Sequence, residues 1–398
     1  MAGTVAIIGG SIGGLFAAAA LKAAGWNVQV FERVGVPLSG RGAGIVTHPQ
    51  LIAALEGVGA DISNLGVQVH DRVAFDLPGG HFSTMPYPQV VTSWDRMYQT
   101  LRNLIPDEDY HLGEMLETFT EDADGVTLHF ASGLEHRADV LLGADGFRSA
   151  VRAHILPEVQ PEYAGYVVWR ALAQEAELSP DMRDRIFDVF GMFMPTGTQI
   201  VGYPIAGESN DLRPGHRRYN FVWYWPVSKD ELHDMLTDES GQTHAISIPP
   251  PLVREDVLAR MEEAAARSLP DVFTHILSKS ERPFFTPIYD HLSPSFAKGR
   301  VAVSGDAACV ARPHVGMGVT KAAQDALALA RHLSAAPIPE ALQAYSAERV
   351  PASRAAFERS RLLGRYMMVA PEQGDNADGR NNPNMDEILR LTAVADFP

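Results

Sequence analysis

Strand-like and helix-like patterns alternate at the start of the chain. Short runs of β-branched and apolar residues occupy Thr4–Ile8 and 27–31. Between them, after a group of glycines, apolar residues recur at helical spacing. This order of strand, glycine turn, helix and strand predicts a βαβ unit within a parallel sheet.

The strand-to-helix order returns twice, because buried-strand patterns at 139–144 and 301–304 each lead into a helical pattern. Other segments have a different character and predict a second, mostly antiparallel sheet. These strand patterns, several of them rich in aromatic residues, occupy 67–93, 165–171, 198–205 and 219–227.

Composition narrows the class of protein. The chain has 398 residues, enough for two domains or one large interrupted domain, and 46% of them are hydrophobic. The net charge of −16, from 33 Lys and Arg against 49 Asp and Glu, argues against non-specific binding of nucleic acid or of an anionic membrane. A single cysteine, Cys309, excludes an intramolecular disulfide and a multi-cysteine metal site. We therefore expect no metal, and a cytoplasmic protein with neither a signal peptide nor a membrane span.

A dinucleotide fingerprint lies in the first turn. Its first and last glycines are Gly9 and Gly14, and Ser11 replaces the middle glycine of the usual pattern. Such glycines let backbone N–H groups approach a pyrophosphate at the start of the helix. Glu32 follows the second strand, where an acid accepts hydrogen bonds from ribose hydroxyls. A plain tight turn with a solvent-facing Glu32 is the alternative.

Two further strand patterns end in an acidic turn. Asp145-Gly146 follows the strand at 139–144, and Gly305-Asp306 follows the strand at 301–304. An irregular loop with a proline and two glycines then spans 313–318. An acid at the carboxyl end of a strand, followed by glycines and a helix, is typical of cofactor sites in α/β sheets.

In this order and spacing, the three motifs resemble the class A flavoprotein aromatic hydroxylases, the group typified by p-hydroxybenzoate hydroxylase. The resemblance covers roughly residues 4–350. Within that family, the chain is most similar to the hydroxylases of 2,6-dihydroxypyridine. The strings that carry this closer likeness are Leu38-Ser-Gly with Gly44-Ile-Val, Tyr163-Ala-Gly-Tyr-Val-Val-Trp-Arg, Tyr203-Pro-Ile, Asn220-Phe-Val-Trp-Tyr-Trp and Arg312-Pro-His.

The resemblance implies an α/β fold with a Rossmann-like FAD-binding domain, an interleaved antiparallel β-sheet substrate domain and C-terminal helices. The expected FAD-binding domain is discontinuous, because the substrate domain is inserted into it. A separate prediction is that a Gly/Asn/Pro-rich stretch near the end is mobile. The expected bounds are 1–66, 94–160 and 284–370 for the FAD-binding domain, 67–93 and 161–283 for the substrate domain, 371–398 for a tail, and 371–383 for the mobile stretch.

The resemblance also implies non-covalent FAD, with NADH or NADPH bound only transiently. Glu32 is expected to bind the ribose, Asp306 the ribityl chain and Arg41 the phosphates. Asp145-Gly146 would contact both FAD and reduced nicotinamide, and the loop at 313–318 would border the flavin ring. The expected cofactor residues are Gly9, Ser11, Ile12, Gly13, Gly14, Glu32, Arg33, Arg41, Asp145, Gly146, Gly305, Asp306, Pro313, Gly316, Gly318 and Val319.

The activity implied is a monooxygenation. NAD(P)H reduces FAD, and O₂ then forms a C4a-hydroperoxide whose distal oxygen attacks an electron-rich ring. The substrate expected is a hydroxypyridine such as 2,6-dihydroxypyridine. A 6-hydroxynicotinate-like ring, a hydroxypyridine with a side chain, a hydroxybenzoate and a urate-like ring stay open as alternatives. A homodimer also stays open, and no nucleic-acid or membrane partner is expected.

Four residues are candidates for the group that deprotonates or anchors the substrate: His314, His48, Tyr203 and Tyr224. His314 lies in the loop expected beside the flavin, and histidine titrates nearest the working pH. A histidine bonded only to backbone is an equal alternative for His314. A polar residue leading a helix is the alternative for His48, and sheet-core packing is the alternative for Tyr224.

Two positions depart from the family. Many relatives carry Asn at the position of Thr320 and Arg at the position of Trp94, so no catalytic role is assigned to either residue.

Three rival functions are possible for such a chain. The string Trp223-Tyr-Trp resembles one in flavin-dependent halogenases, but Pro226 follows at once and no Ile-Pro is present. A flavin reductase or dehydrogenase would not oxygenate a substrate. An FAD-binding interaction module would show no ligand-stimulated oxidation of NAD(P)H.

Overall fold

The computed structural model of the chain describes residues 3–40, 44–77, 79–368 and 385–395. The strands of these residues are, in chain order, β1 (Thr4–Ile8), β2 (Asn27–Glu32), β3 (Gly44–Val46), β4 (Val67–Phe75), β5 (His81–Ser93), β6 (Tyr110–Leu112), β7 (Leu116–Glu121), β8 (Val126–Phe130), β9 (Glu135–Ala138), β10 (Val140–Gly143), β11 (Glu162–Gln174), β12 (Val189–Phe193), β13 (Gln199–Ile205), β14 (Arg218–Pro226), β15 (Phe284–Leu292), β16 (Ala297–Lys298), β17 (Val301–Val303) and β18 (Cys309–Val310). The α-helices are α1 (Ile12–Ala23), α2 (Pro49–Gly57), α3 (Trp94–Arg102), α4 (Ala150–Ile155), α5 (Pro180–Ile186), α6 (Lys229–Met235), α7 (Glu255–Ser268), α8 (Asp271–Ser278), α9 (Gly318–Ala335), α10 (Ile338–Met368) and α11 (Met385–Leu391).

The first sheet is the parallel one that the βαβ pattern predicts. Its order is β16-β17-β10-β1-β2-β6, and only β16 runs antiparallel to its neighbour. The central strand β1 is almost wholly apolar and buried, as expected for a sheet covered on both faces. Because the paired strands run in the same direction, the turns after β1, β10 and β17 lie at one edge of the sheet.

The second sheet is large and mostly antiparallel, as predicted. Its order is β18-β15-β11-β14-β13-β12-β4-β5-β3, and β12 pairs with β4 in parallel. Strand β15, predicted to lead back to the first domain, pairs with β11 in this sheet. Its two faces pack into different cores: Trp223 belongs to one and Tyr224 to the other, as strand alternation predicts. The face that carries Tyr224 is called the inner face below.

Most local predictions are confirmed, with differences that have physical causes. The side chain of Ser93 accepts a hydrogen bond of 3.1 Å from the backbone N–H of Arg96, as a helix cap should. Pro351 lies inside α10, and the helix runs through it without a break. Pro351 is exposed, so water can satisfy the carbonyl that loses its partner. Strand β12 and helices α5 and α6 were not predicted.

The α/β fold class is confirmed, whereas the predicted domain boundaries stay a prediction. The stretch 371–383, predicted to be mobile, lies outside the described residues. No helix in the described part of the chain combines the length and apolar character needed to cross a membrane.

Replacement of Gly14 by alanine should destabilise the apoprotein, because a Cβ there would overlap the carbonyl oxygen of Gly9. Gly13→Ala is the matched control, since its Cβ would lie 3.6 Å from that of Ala322, an ordinary contact. Denaturant unfolding of the two apoproteins should show a loss of about 1–3 kcal/mol for Gly14→Ala only. Equal losses in both variants would contradict this account of the turn.

Candidate active site

The first glycine turn is shaped by contacts that leave no room for a side chain at Gly9 or Gly10. Gly9 has a φ of +105°, and a Cβ there would overlap the carbonyl oxygen of Ala144. The hydroxyl of Tyr110 donates a hydrogen bond of 2.8 Å to the carbonyl oxygen of Gly10. Ser11 has a φ of −82°, so its Cβ adds no backbone strain. The turn therefore presents backbone groups to a ligand despite the missing glycine.

Glu32 braces this turn from the end of β2. Its Oε2 accepts a hydrogen bond of 2.9 Å from the N–H of Gly10, and its Oε1 accepts one of 2.9 Å from the N–H of Val34. The carboxylate oxygens keep further lone pairs, and Glu32 lines the cleft beside the turn. The predicted contact from Glu32 to a ribose stays a prediction.

Asp145 ends β10 and begins the turn before α4. Its Oδ2 accepts hydrogen bonds from the N–H groups of Ala150, at 2.7 Å, and Val151, at 3.3 Å. Its Oδ1 is buried without a partner among the described residues. Burial raises the pKa of this carboxyl. Asp145 thus lines the cleft and has one carboxylate oxygen that no described residue satisfies.

The turn after β17 is held by a buried ionic network. The N–H of Gly305 donates to Asp325 Oδ2 at 3.0 Å, and Lys321 Nζ donates to the carbonyl of Gly305 at 2.7 Å. Arg349 Nε donates to Asp325 Oδ1 at 2.8 Å. Asp306 is exposed to the cleft. Sequence reasoning missed this network, although Lys321 and Asp325 have the spacing of a helical ion pair.

The three turns surround one cleft of about 590 Å³. Three predicted cofactor residues do not line this cleft: Gly14, which is buried, Pro313 and Gly316. Arg41 lies outside the described residues. Trp94 also lines the cleft and stacks on Tyr98. The predicted cofactor residues that line it are Gly9, Ser11, Ile12, Gly13, Glu32, Arg33, Asp145, Gly146, Gly305, Asp306, Gly318 and Val319.

This cleft fits FAD. Backbone N–H groups at the start of α1 suit a pyrophosphate, and the carboxylates of Asp306 and Asp145 provide acceptors for hydroxyl groups. Among the residues that the structure describes, no group of His, Cys, Asp or Glu side chains is placed to hold a metal ion.

His314 is 1% exposed, and both of its ring nitrogens are engaged. Nε2 lies 2.9 Å from the hydroxyl of Tyr166, and Nδ1 lies 3.0 Å from Oε1 of Gln199. The ring stacks on Tyr224, with 4.3 Å between centroids. Burial, and then the positive charge of Arg312, lower the pKa of His314 to about 3. His314 is therefore neutral at pH 7. Its ring nitrogens contact side chains, so the alternative of a histidine bonded only to backbone is wrong.

His48 is equally buried but keeps one nitrogen free. Nδ1 lies 2.8 Å from the hydroxyl of Thr320, in the first turn of α9, and Nε2 has no partner among the described residues. Burial lowers the pKa of His48 to about 4, a hydrogen-bonding contact with the backbone of Ala393 raises it, and nearby Arg72 lowers it. His48 is thus a neutral imidazole, and its Nε2 makes no well-formed hydrogen bond within the described part of the chain.

The two candidate tyrosines lie on the inner face. Tyr203 stacks on Phe190 and lies against Gly44, where any Cβ would meet the tyrosine ring. Burial raises the pKa of Tyr203 to about 12, and it raises the pKa of Tyr224 as well. Only His314 and Tyr224 of the four candidates are shown in mutual contact. Neither tyrosine titrates near pH 7, so both can act only as hydrogen-bonding groups.

Three residues that sequence reasoning did not single out also belong to the inner face. Gln199 lies opposite Tyr224, and Asn220 lies opposite Tyr203. Gln199 Nε2 and Asn220 Nδ2 are buried and have no partner among the described residues. Arg170 is half-buried on the same face, and its charge acts on both tyrosines. The alternation of side chains between the two faces of β11, β13 and β14 is the only sequence feature that could have placed these residues on the inner face.

Comparisons with known proteins agree with this geometry. A family model described as FAD binding domain-like matches residues 163–290. The chain is 34% identical to 2,6-dihydroxypyridine 3-monooxygenase of Paenarthrobacter nicotinovorans, over 82% of this chain and 81% of that protein. It is 31% identical to aurachin C monooxygenase/isomerase of Stigmatella aurantiaca, over 87% and 85% of the two chains.

A solved structure gives the same result for the fold. The structure of 2,6-dihydroxypyridine-3-hydroxylase from Arthrobacter nicotinovorans superposes with a TM-score of 0.87 at 30% identity, over 95% of this chain and 96% of that one. Together with the cleft and its acidic turns, these similarities show that the chain belongs to the class A family of FAD-dependent aromatic monooxygenases.

Proposed function

We propose that this protein hydroxylates a hydroxypyridine such as 2,6-dihydroxypyridine, with NADH or NADPH as reductant and O₂ as oxidant. The observation that carries the proposal is a set of buried nitrogens that have no partner among the described residues: His48 Nε2, Gln199 Nε2 and Asn220 Nδ2. Buried polar atoms are normally satisfied, so these nitrogens await a ligand or water. The amide N–H groups of Gln199 and Asn220 suit the oxygen atoms of a hydroxylated ring, and His48 Nε2 can accept a proton when Nδ1 carries the ring hydrogen.

The positive charge of Arg170 on the inner face suits a hydroxylated ring as the ligand. Arg170 makes no hydrogen bond or ion pair in the described part of the chain that would neutralise it. A ring hydroxyl that loses its proton becomes an anion, which a nearby guanidinium stabilises. The relatives named for 2,6-dihydroxypyridine support the choice of ring.

The chain's own residues would prepare the ring for attack. Bound FAD would supply the activated oxygen. His48 would accept or orient the proton of a ring hydroxyl at Nε2, while Thr320 holds the other nitrogen. Loss of that proton makes the ring carbons next to the hydroxyl more nucleophilic. A bound anion would also raise the low pKa of His48 and make it a better base.

The geometry favours His48 over His314 for this role. Both nitrogens of His314 already contact side chains of the inner face, so a proton transfer there would first break one of those contacts. We infer that His314 orients Tyr166 and Gln199, and that Asp145-Gly146 contacts the reduced nicotinamide. The role of base for His314 stays a prediction.

The substrate class is tested by supplying the holoprotein with hydroxypyridines and hydroxybenzoates in parallel. We expect 2,6-dihydroxypyridine to stimulate NAD(P)H and O₂ consumption and to yield a product that has gained one oxygen atom, measured by mass spectrometry. Stimulated flavin reduction with no gain of oxygen in any ring would instead indicate a reductase or dehydrogenase and would overturn the proposal.

Asp306→Ala should weaken FAD binding, because an acceptor exposed to the cleft is lost while the buried network beneath it is untouched. A hydrogen bond to a charged group contributes about 1.5–3 kcal/mol, so Kd should rise roughly ten- to a hundredfold. Fluorescence titration of the apoprotein measures this effect. Asp124→Ala, at an exposed acid in the turn between β7 and β8, is the control, and equal FAD affinity in both variants would place the contact elsewhere.

Two histidine variants separate the candidate bases. His48→Ala should slow ring oxygenation by on the order of 10²–10⁴ while FAD remains bound. His314→Ala should slow ring oxygenation much less, because the role we infer for His314 is to orient its neighbours. His48→Gln keeps an N–H donor and cannot act as a base, so recovered activity would mean that His48 only orients the ring. A larger loss in His314→Ala than in His48→Ala would restore His314 as the base.

A further inference from the structure

Arg72 on β4 is a buried cation without an acidic partner. It is 0% exposed, and no carboxylate among the described residues pairs with it. Burial lowers the pKa of Arg72 to about 10, so the guanidinium remains charged at pH 7. The ring of Tyr87 lies 4.0 Å from it, which provides a cation–π contact. A buried charge must be satisfied by other groups, and here these come from the far end of the chain.

Three backbone carbonyls of the segment Met385–Ala395 converge on that guanidinium. Nη1 donates to the carbonyl of Leu389 at 2.8 Å and to that of Thr392 at 2.5 Å. Nη2 donates to the carbonyl of Ala393 at 3.1 Å. These acceptors lie more than 300 residues away in sequence, so this side chain ties the segment to a distant strand of the large sheet.

The same segment contacts the two loops that carry the candidate histidines. The N–H of Ala393 donates to the carbonyl of His314 at 2.9 Å, and a Cβ at Gly316 would lie 3.1 Å from Ala393. Gln89 Nε2 donates to the carbonyl of Thr47, beside His48, at 2.7 Å and to that of Ala393 at 3.3 Å. Ala393 therefore joins both loops to the large sheet.

The segment also covers apolar surface. Ile388 and Leu389 are buried in the core of the inner face, together with Tyr203 and Tyr224. Loss of this segment would open that core, which contains two of the candidate ligand-contacting residues, to water.

We propose that Arg72 is a positioning residue that seats Met385–Ala395 over the reactive end of the site, and that this segment excludes water during oxygenation. The inference rests on the proposed function. Productive turnover oxidises one NAD(P)H, places one atom of O₂ in the ring and releases the other as water. When water enters, the same two electrons leave with both oxygen atoms as hydrogen peroxide, and the ring is unchanged.

The test compares Arg72→Met, which keeps the length but removes every donor, with Arg72→Lys, which keeps charge and three donors. Arg217→Met controls for a general loss of stability, because Arg217 is also a largely buried arginine over an aromatic ring, Phe187, but it pairs with Glu175 and has no bond to the segment. Hydrogen exchange of the apoprotein should be at least about tenfold faster across 385–395 in Arg72→Met. Arg72→Lys should be intermediate, and Arg217→Met unchanged there.

In the holoenzyme with 2,6-dihydroxypyridine, Arg72→Met should release a several-fold larger share of its electrons as hydrogen peroxide. Substrate-stimulated flavin reduction and FAD content should be maintained, which a general loss of folding would not allow. Unchanged exchange in 385–395, or faster exchange without extra peroxide, would overturn the inference.

A second variant keeps the test decisive if Arg72→Met does not fold. A chain that ends after residue 384 leaves Arg72 in place, facing water, and should also release more peroxide; tight coupling in that chain would overturn the inference. If no hydroxypyridine is oxygenated by the unaltered enzyme, the proposed function fails instead. Acrylamide quenching of bound FAD then tests the shielding, and equal quenching with and without the segment would refute it.

Discussion

Parallel pairing of β2, β1, β10 and β17 is the constraint on which the cofactor site depends. Parallel strands bring their carboxyl ends to one edge, so turns that are more than 100 residues apart in sequence become neighbours there. Gly9, Asp145 and Asp306 reach a common cleft for this reason alone. A change of register in any one strand would separate them, and no local feature of the turns could restore the site.

Buried polar groups are paired in one region around the cleft and left unpaired in another. Under Gly305, opposite charges are paired: Lys321 and Arg349 flank Asp325, and all three are almost inaccessible to water. Such pairing fixes the turn, because removal of Asp325 would leave two buried cations without their shared anion. Near the inner face of the large sheet, burial instead keeps His48 and His314 neutral, and several buried N–H groups have no partner among the described residues. The paired region is suited to holding a cofactor in place, and the unpaired region is suited to receiving a ligand.

The two sheets are joined by long-range contacts through the candidate histidines. His314 lies in a loop that follows the parallel sheet, yet its ring contacts Tyr166 and Gln199 of the large sheet. His48 lies beside the large sheet's edge strand β3, yet it contacts Thr320 on the helix α9. Each histidine therefore connects the elements around the cleft to the large sheet.

The amino-acid sequence by itself determined the local units and the chemical class. The glycine turn before α1, the acidic turns at Asp145 and Asp306 and the aromatic strands are short-range patterns, because strand alternation, helical spacing and left-handed glycine conformations act over a few residues. Which atoms remain free was decided only by the tertiary structure. His314 and His48 look alike in sequence, but partners 148 and 115 residues away occupy both nitrogens of His314, whereas one nitrogen of His48 has no partner in the part of the chain that the structure describes. Arg72 carries no local signal at all, since the carbonyls that satisfy it lie 317 to 321 residues away. Residue type sets what a side chain can donate or accept, and only the packing of distant segments decides which of those bonds the protein itself makes.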